Sequence, residues 1–217
     1  MSIRIFIAED HGVVRKGLRL LLEQESDFEV VGEAADGRQA VQLAGQLACD
    51  IVLMDISMPN LNGIEATRQL RQHNAGIRVI GLSQYPDVQH VVSMLKAGAS
   101  GYIPKTTHGE ELIEAIRVVA QGRTYLSPWV AGDLVGSCIS ANGSAGRRHH
   151  AASILQPRER EILQLLAEGK TSRQIAAALS ISVATVDSHR RKIMAKLNLH
   201  NVAALTKFAV REGLTTA

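Results

Sequence analysis

The first half of the chain alternates short apolar runs with longer segments of helical periodicity. The runs are rich in Ile, Val and Leu, which is typical of strands buried on both faces, and the intervening segments repeat apolar residues every three or four positions. This alternation predicts an α/β domain with a parallel sheet, right-handed crossovers and helices on both faces. The predicted strands are 3–9, 29–34, 50–57, 78–83 and 101–104, and the predicted helices are 12–24, 37–48, 62–73, 87–98 and 109–122.

The chain from residue 154 onward has no strand pattern. Thr171 and Gln174 have the spacing of a capping box, Ser182 is a good N-cap, and Asn198 can adopt the left-handed conformation that ends helices. These signals predict a small all-α domain of four helices, over residues 157–168, 172–179, 183–197 and 201–212.

A third segment, residues 127–153, separates the two patterns. It begins with SPWVAGDLVG, which is compatible with a short helix, and continues with a Gly/Ser-rich stretch typical of a linker. The basic run at 147–150 could belong to a metal or nucleic-acid site, but we interpret it as part of a solvated linker. The predicted organisation is therefore a domain at 1–126, a linker at 127–153 and a domain at 154–217.

The net charge of +3 is unevenly distributed. Residues 1–126 contain 12 Lys/Arg and 15 Asp/Glu, for a net charge of −3, whereas residues 127–217 contain 12 and 6, for a net charge of +6. Such an asymmetry predicts that the C-terminal part binds a polyanion.

The compartment expected from composition is the cytoplasm. No apolar run approaches the roughly 18 residues of a membrane span, and the N-terminus lacks the features of a signal peptide. Cys49 and Cys138 have neither metal-ligand spacing nor a disulfide framework, so we expect two free thiols and no membrane partner.

Charged and polar residues end four of the five predicted strands. The carboxyl ends of parallel strands meet at one edge of the sheet, where ligands bind. Three carboxylates at this edge provide oxygen ligands of the kind that Mg²⁺ prefers. With a lysine nearby, a carboxylate there could also act as the nucleophile in phosphoryl transfer. The residues are Glu9 and Asp10 after the first strand, Asp55 after the third, Ser83 at the end of the fourth and Lys105 after the fifth.

The stretches IAEDHGVVRKGL, VLMDISMPNLNGIEA and LSQYPDVQHVVSMLKAGASGYIPK resemble the receiver domain of bacterial two-component response regulators. The resemblance implies a flavodoxin-like, doubly wound parallel five-stranded sheet of order 2-1-3-4-5. It also implies that Asp55 accepts phosphate from a sensor histidine kinase. The other roles it implies are Mg²⁺ ligation by Asp10, Asp55 and the backbone carbonyl of Ser57, a water-mediated contact from Glu9, phosphate pairing by Lys105, and a switch pair formed by Ser83 and Tyr102.

Two alternatives to a phosphorylated regulator stay open at this point. A phosphatase with an aspartate nucleophile would need a second acid two residues later, where Ser57 stands, so we do not expect an enzyme. A transcription factor whose receiver acts without phosphorylation is the stronger alternative, because Glu9 occupies a position where receivers more often have Asp.

The segment 183–197 predicts a helix with one apolar face and one polar, mostly cationic face. Val186, Ile193 and Leu197 lie on the apolar side. A helix with cationic groups opposite its packing face fits the DNA major groove. The polar side and its flank consist of Ala184, Asp187, Ser188, Arg191 and Lys192.

The stretch LQPREREILQLLAEGKTSRQIAAALSISVATVDSHRRKIMAKLNLHN resembles the LuxR-type helix-turn-helix domain of the NarL/FixJ family. The resemblance implies base contacts by Asp187, Ser188 and Arg191, and we expect Arg191 to read guanine. Asp187 could accept a hydrogen bond from cytosine or orient Arg191, and we favour orientation. Phosphate contacts are expected from Thr171, Arg190 and Lys192.

The last helix carries four apolar residues on adjoining faces: Val202, Leu205, Phe208 and Ala209. Some of them must cover the domain's own core. The remainder suits a symmetric contact between two copies, and the resemblance implies an activated homodimer on double-stranded DNA with an inverted-repeat operator.

Overall fold

The computed structural model describes residues 2–84, 87–140 and 154–215, and for residues 138–140 the backbone alone. The chain divides into two compact units, 1–146 and 147–217, and this division falls within the predicted linker. The basic run at 147–150 lies outside the described residues. No helix in the described ranges is both long and apolar enough to cross a membrane.

The first unit is a parallel sheet of order β2-β1-β3-β4-β5-β6 with helices on both faces. The predicted flavodoxin-like architecture is therefore confirmed, with one strand more than expected. The strands are β1 (Ile3–Ala8), β2 (Phe28–Ala34), β3 (Ile51–Asp55), β4 (Arg78–Ser83), β5 (Gly101–Pro104) and β6 (Tyr125–Leu126). The helices are α1 (Gly12–Leu22), α2 (Gly37–Gln46), α3 (Gly63–His73), α4 (Val88–Lys96), α5 (Gly109–Ala120) and α6 (Pro128–Ser140).

Each central strand contributes side chains to two cores because successive residues point to opposite faces. In β1, Phe6 and Ala8 join the core under α2, α3 and α4, whereas Ile5 and Ile7 join the core under α1 and α5. The continuous apolar runs of the sequence follow directly from this double burial.

The sixth strand and the full length of α6 were not predicted. β6 pairs in parallel with β5 through Gly101–Tyr125 and Tyr102–Leu126. A strand of two residues has too few positions to show an alternating pattern, so its sequence carries no periodic signal. α6 follows at once, and its Val130 is buried in the same core as Tyr102.

The second unit is built from α7 (Pro157–Ala167), α8 (Ser172–Leu179), α9 (Val183–Leu197) and α10 (Val202–Arg211). The predicted capping box of Thr171 and Gln174, the N-cap at Ser182 and the left-handed Asn198 are all confirmed. Ser180 also has positive φ, at 52°, and this residue turns the chain from α8 into α9. The four helices enclose one apolar core.

Candidate functional site

Lys105 lies between two buried carboxylates at the carboxyl edge of the sheet. Its Nζ is 2.7 Å from Glu9 Oε2 and 3.0 Å from Asp55 Oδ2. Glu9 is fully buried, and Asp55 is 2% exposed. A buried carboxylate without a charged partner is costly, so this lysine offsets much of the cost of both.

The parallel register brings these groups together. Asp55 pairs with Leu82 across β3 and β4, and Ser83 pairs with Pro104 across β4 and β5. The backbone N–H of Lys105 then donates to the carbonyl of Ser83 at 2.7 Å. The strand-end residues chosen from the sequence therefore converge because the strands end at the same level.

Burial and the neighbouring charge of Glu9 raise the pKa of Asp55 from its ordinary value of 3.8 to about 6. The Lys105 ammonium opposes this shift without cancelling it. Burial alone would lower the pKa of Lys105, but Asp55 and Glu9 outweigh it and raise that pKa. The site therefore holds one cation and a carboxylate that is expensive to ionise.

A stability measurement checks this electrostatic arrangement. Because the folded pKa of Asp55 exceeds its ordinary value, ionised Asp55 destabilises the fold, and the cost is largest above pH 6. We expect metal-free Asp55→Asn to exceed the wild type in unfolding free energy by as much as about 3 kcal/mol at pH 8. The advantage should shrink as the pH falls through 6 and vanish near pH 4. A pH-independent difference would contradict the shifted pKa.

Urea unfolding followed by the fluorescence of Trp129 suits this measurement. Trp129 is the one tryptophan of the chain, and it lies in α6 of the first unit. Its signal therefore reports the unit that contains Asp55.

Ser83 ends β4, and Tyr102 lies on the neighbouring strand β5. Tyr102 is fully buried, and burial raises the pKa of its hydroxyl to about 12, while the nearby Ser83 acts in the opposite direction. The Ser57 side chain is exposed, and its backbone N–H donates to Asp55 Oδ1 at 3.3 Å. The loop after β3 thus contacts the Asp55 carboxylate through its backbone.

His11 is a member of the cluster that the sequence analysis missed. Its Nδ1 is 2.7 Å from Asp10 Oδ1 and 3.2 Å from Glu9 Oε1. One ligand atom from each of Glu9, Asp10, His11 and Asp55 lies within 4.8 Å of the others. The signal that could have found His11 is its place directly after two acids at the start of α1. Oxygen donors at this spacing fit Mg²⁺.

The predicted DNA-contacting residues lie on α9, apart from Thr171, and all of these on α9 except Arg190 share its outer side. Val186 and Ile193 are fully buried on the inner side. Thr171 is exposed and caps α8, with its Oγ1 accepting from the backbone N–H of Gln174. On α9, Ala184, Arg191 and Lys192 are exposed, and Asp187, Ser188 and Arg190 are half-buried.

Asp187 does not use its carboxylate to orient Arg191, which corrects the interpretation favoured from the sequence. Ser172 Oγ donates to Asp187 Oδ1 at 2.8 Å. Arg191 Nε instead contacts the backbone carbonyl of Asp187, at 3.4 Å. The packing of α8 on α9 places the hydroxyl within reach of the carboxylate, a contact that spacing along one helix does not reveal.

An ion pair between exposed Lys196 and buried Glu159 holds the far end of α9. Lys196 Nζ is 2.6 Å from Glu159 Oε2, which also accepts from the backbone N–H of Gln156. Burial disfavours ionised Glu159, but these hydrogen bonds outweigh burial and hold its pKa below the usual range. The pair therefore ties α9 to the start of α7.

The apolar residues of α10 mostly serve the domain's own core. Leu205 and Ala209 are fully buried and Phe208 is 7% exposed, because α10 packs these side chains against the rest of the unit. These three residues are therefore the ones that cover the core, and a dimer contact by the remainder stays a prediction. Val202 is 38% exposed and stays available on the surface.

Comparisons with known proteins identify both units. The family model for the response regulator receiver domain matches residues 5–117, and the model for bacterial regulatory proteins of the luxR family matches residues 153–209. The chain is 37% identical to the transcriptional regulatory protein DegU of Brevibacillus brevis over 223 residues, which cover 98% of this chain and 94% of that protein.

Solved structures give the same answer. The crystal structure of the response regulator ChrA, from a heme-sensing two-component system, has a TM-score of 0.53 at 36% identity, and 98% of each chain is covered. The structure of RcsB from Salmonella enterica serovar Typhimurium bound to promoter rprA with the phosphomimetic BeF3- has a TM-score of 0.62 at 27% identity, covering 96% of this chain and 98% of that one. This chain belongs to the NarL/FixJ family of response regulators, in which a receiver domain is joined to a LuxR-type helix-turn-helix DNA-binding domain, and it is a transcription regulator.

Proposed function

We propose that transfer of a phosphoryl group from a sensor histidine kinase to Asp55 controls operator binding by the helix-turn-helix unit. The observation that carries this proposal is the position of Lys105, within 3.0 Å of Asp55 and 2.7 Å of Glu9. A carboxylate nucleophile that lies beside a lysine ammonium, at the carboxyl edge of a parallel sheet where ligands bind, suits phosphoryl transfer.

The transfer forms an oxygen–phosphorus bond and breaks a nitrogen–phosphorus bond. An oxygen of the Asp55 carboxylate attacks phosphorus, the nitrogen–phosphorus bond of the donor phosphohistidine breaks, and the imidazole nitrogen keeps the electron pair. Lys105 then contacts an oxygen of the acyl phosphate in place of the free carboxylate. The Ser57 N–H, which already reaches Asp55, helps to hold the acceptor in position.

The carboxylates also fit the Mg²⁺ that the family implies. Asp10, Asp55 and the carbonyl of Ser57 would hold it directly, and Glu9 through water. When bound, Mg²⁺ supplies positive charge against the phosphoryl oxygens. Buried Glu9 keeps Lys105 aligned within the same cluster. The Glu9 side chain, which is longer than that of Asp, therefore serves the lysine as well as the metal.

The effect of phosphorylation would be transmitted through Ser83 and Tyr102 to α6, the segment that follows the receiver domain. Ser83 is the last residue of β4, next to the strand that ends in Asp55, and Tyr102 is fully buried on the neighbouring strand β5. The backbone N–H of Ser127 donates to the Tyr102 carbonyl at 3.2 Å, and Val130 of α6 is buried in the same core. A shift of Tyr102 thus reaches α6 directly, and the populations of two arrangements change with phosphate.

The DNA-binding half of the proposal places α9 in the major groove. Ser188 and Arg191 would contact bases, and Thr171, Arg190 and Lys192 would contact phosphates. Two copies on an inverted repeat would meet near the start of α10, where Val202 is exposed.

Operator binding measured on phosphorylated and unphosphorylated full-length protein tests the proposal as a whole. Phosphate-dependent tightening of binding, with a dimer in sedimentation, supports it. Equal binding in both states would favour a receiver that acts without phosphorylation.

Lys105→Ala should uncouple phosphorylation from operator binding. The variant loses the cation that contacts both Glu9 and Asp55, so a phosphoryl group on Asp55 has no lysine partner. We expect phosphorylated and unphosphorylated variant to bind the operator equally in a fluorescence anisotropy titration. Lys96→Ala is the matched control, because this exposed lysine ends α4 away from the carboxylates. Retained phosphate response in Lys105→Ala would refute its role.

Arg191→Ala should weaken specific operator binding by about 1–3 kcal/mol and relax discrimination at one base pair. The side chain is exposed on the outer side of α9, so its loss leaves the domain core intact. Competition titrations against operators with single base-pair changes measure both effects. Lys192→Ala, a phosphate contact, should lose affinity uniformly. Uniform loss for Arg191→Ala as well would make Arg191 a phosphate contact.

A further inference from the structure

Asp187 is an acidic residue in the middle of a cationic helix surface. Arg190, Arg191 and Lys192 follow it on α9 after Ser188 and His189. A carboxylate facing DNA is repelled by phosphates, so its presence at the centre of this surface requires a favourable contact elsewhere. The structure shows half of that contact: one carboxylate oxygen accepts from Ser172 at 2.8 Å.

We propose that Asp187, held by Ser172, is a specificity-determining residue that reads the exocyclic amino group of a cytosine in the operator. This inference rests on the proposed insertion of α9 into the major groove. Oδ1 is engaged by the hydroxyl of Ser172, which leaves Oδ2 as the acceptor for DNA. Asp187 is half-buried, so part of its side chain is exposed to solvent.

The base is set by the chemistry of the major groove. Guanine presents two acceptors there and thymine presents an acceptor and a methyl group, so both repel or fail to bind a carboxylate. Adenine offers an amino donor, but its N7 acceptor lies beside it. Cytosine presents an amino donor without an adjacent acceptor, and Asp is among the residues that accept from it.

The contact with Ser172 fixes the orientation of the Asp187 carboxylate before DNA binds. A free aspartate would have to fix its side-chain torsions on binding, which costs conformational entropy. The hydroxyl at the first turn of α8 fixes them beforehand, and Thr171 caps the same turn through Gln174. The two helices of the motif therefore position the carboxylate jointly.

The guanidinium next to it stays free for its own base. Arg191 contacts the backbone carbonyl of Asp187 and not its carboxylate. The two residues can therefore read separate base pairs, and their effects on binding should be close to additive.

The test starts from the operator selected by the full-length wild type from a random duplex library. Each cytosine of the selected site is then replaced singly by 2-pyrimidinone, which lacks the amino group and keeps the ring. We expect about tenfold weaker binding at one position per half-site. Asp187→Ala should show no loss on replacement at that position and should respond as the wild type does to replacement at every other position.

Two further variants separate reading from helix packing. Selection with Asp187→Asn should change the preferred base at this position from cytosine to adenine, because an amide pairs with adenine N6 and N7. Ser172→Ala should keep cytosine with a several-fold weaker preference. Thermal unfolding followed by circular dichroism identifies any variant that fails to fold, and the 2-pyrimidinone series on the wild type needs no variant at all.

The outcomes distinguish this inference from the proposed function. A wild type that enriches no sequence refutes the sequence-specific DNA binding on which the inference rests. A clear selected site with no position that needs a cytosine amino group, or with the same need in Asp187→Ala, overturns the reading by Asp187 and leaves DNA binding intact. Asp187 would then be a tie between α8 and α9 alone.

Discussion

Asp55→Asn will take up no phosphoryl group under conditions in which the wild type takes up one. The amide has no anionic oxygen to attack phosphorus, while its shape still fits the buried position beside Lys105. Intact mass spectrometry after incubation with Mg²⁺ and a small-molecule phosphodonor measures the result. This substitution has the largest expected effect on function, because it removes the acceptor atom itself.

Asp36→Asn is the matched control for that experiment. Asp36 is also buried, but it caps α2 by accepting from the backbone N–H groups of Arg38 and Gln39. Asn is an equally good cap, so this variant should keep its fold and its phosphorylation. Phosphate on Asp55→Asn, or loss of phosphate on Asp36→Asn, would show that the acceptor has been assigned to the wrong residue.

The receiver architecture was predictable because its signal is repeated. Four strands, β1, β3, β4 and β5, are mostly buried on both faces, and each leaves an apolar run. The half-buried β2 leaves a shorter run, and each amphipathic helix leaves a period of three to four. The two-residue β6 and the length of α6 leave neither. They become visible in three dimensions, where Ser127 donates to Tyr102 and Val130 enters the core.

The residues of the carboxylate cluster were predictable from topology and resemblance, but their partners were not. Strand ends in a parallel sheet converge, so Glu9, Asp55 and Lys105 could be chosen from sequence. The contact of His11 with Asp10 depends on the first turn after β1, and the contact of Ser172 with Asp187 depends on how two helices pack. Sequence spacing does not encode either distance.

The last helix, α10, also shows what the sequence pattern cannot decide. Its four apolar residues occupy adjoining faces, and periodicity alone cannot decide which face is covered by the domain itself. The structure assigns Leu205, Phe208 and Ala209 to the core and leaves Val202 on the surface. A dimer contact through α10 therefore has a smaller apolar area than the sequence implied.

The loop between Asp55 and α3 owes its path to Gly63. The backbone N–H of Gly63 donates to the carbonyl of Ile56 at 2.9 Å, and Asn62 caps the helix that starts here. A Cβ at position 63 would lie 2.0 Å from the carbonyl oxygen of Asp55 and 3.0 Å from the Cα of Ile56. Both are backbone atoms next to the acceptor, so neither can move without moving the site.

Gly63→Ala should therefore destabilise the receiver unit by about 4 kcal/mol or more, because relief of the clash requires a shift of the β3–α3 loop. Urea unfolding monitored by Trp129 fluorescence measures the change. Gly45→Ala is the matched control: this exposed glycine is inside α2, a Cβ there meets nothing within 4 Å, and the substitution should stabilise by up to about 1 kcal/mol. Equal stability of the two variants would contradict the close packing of α3 against the acceptor strand. Any folded fraction of Gly63→Ala should also accept phosphate more slowly, since the shift that accommodates its methyl group displaces the carbonyl of Asp55 and with it the Ser57 N–H that holds the carboxylate.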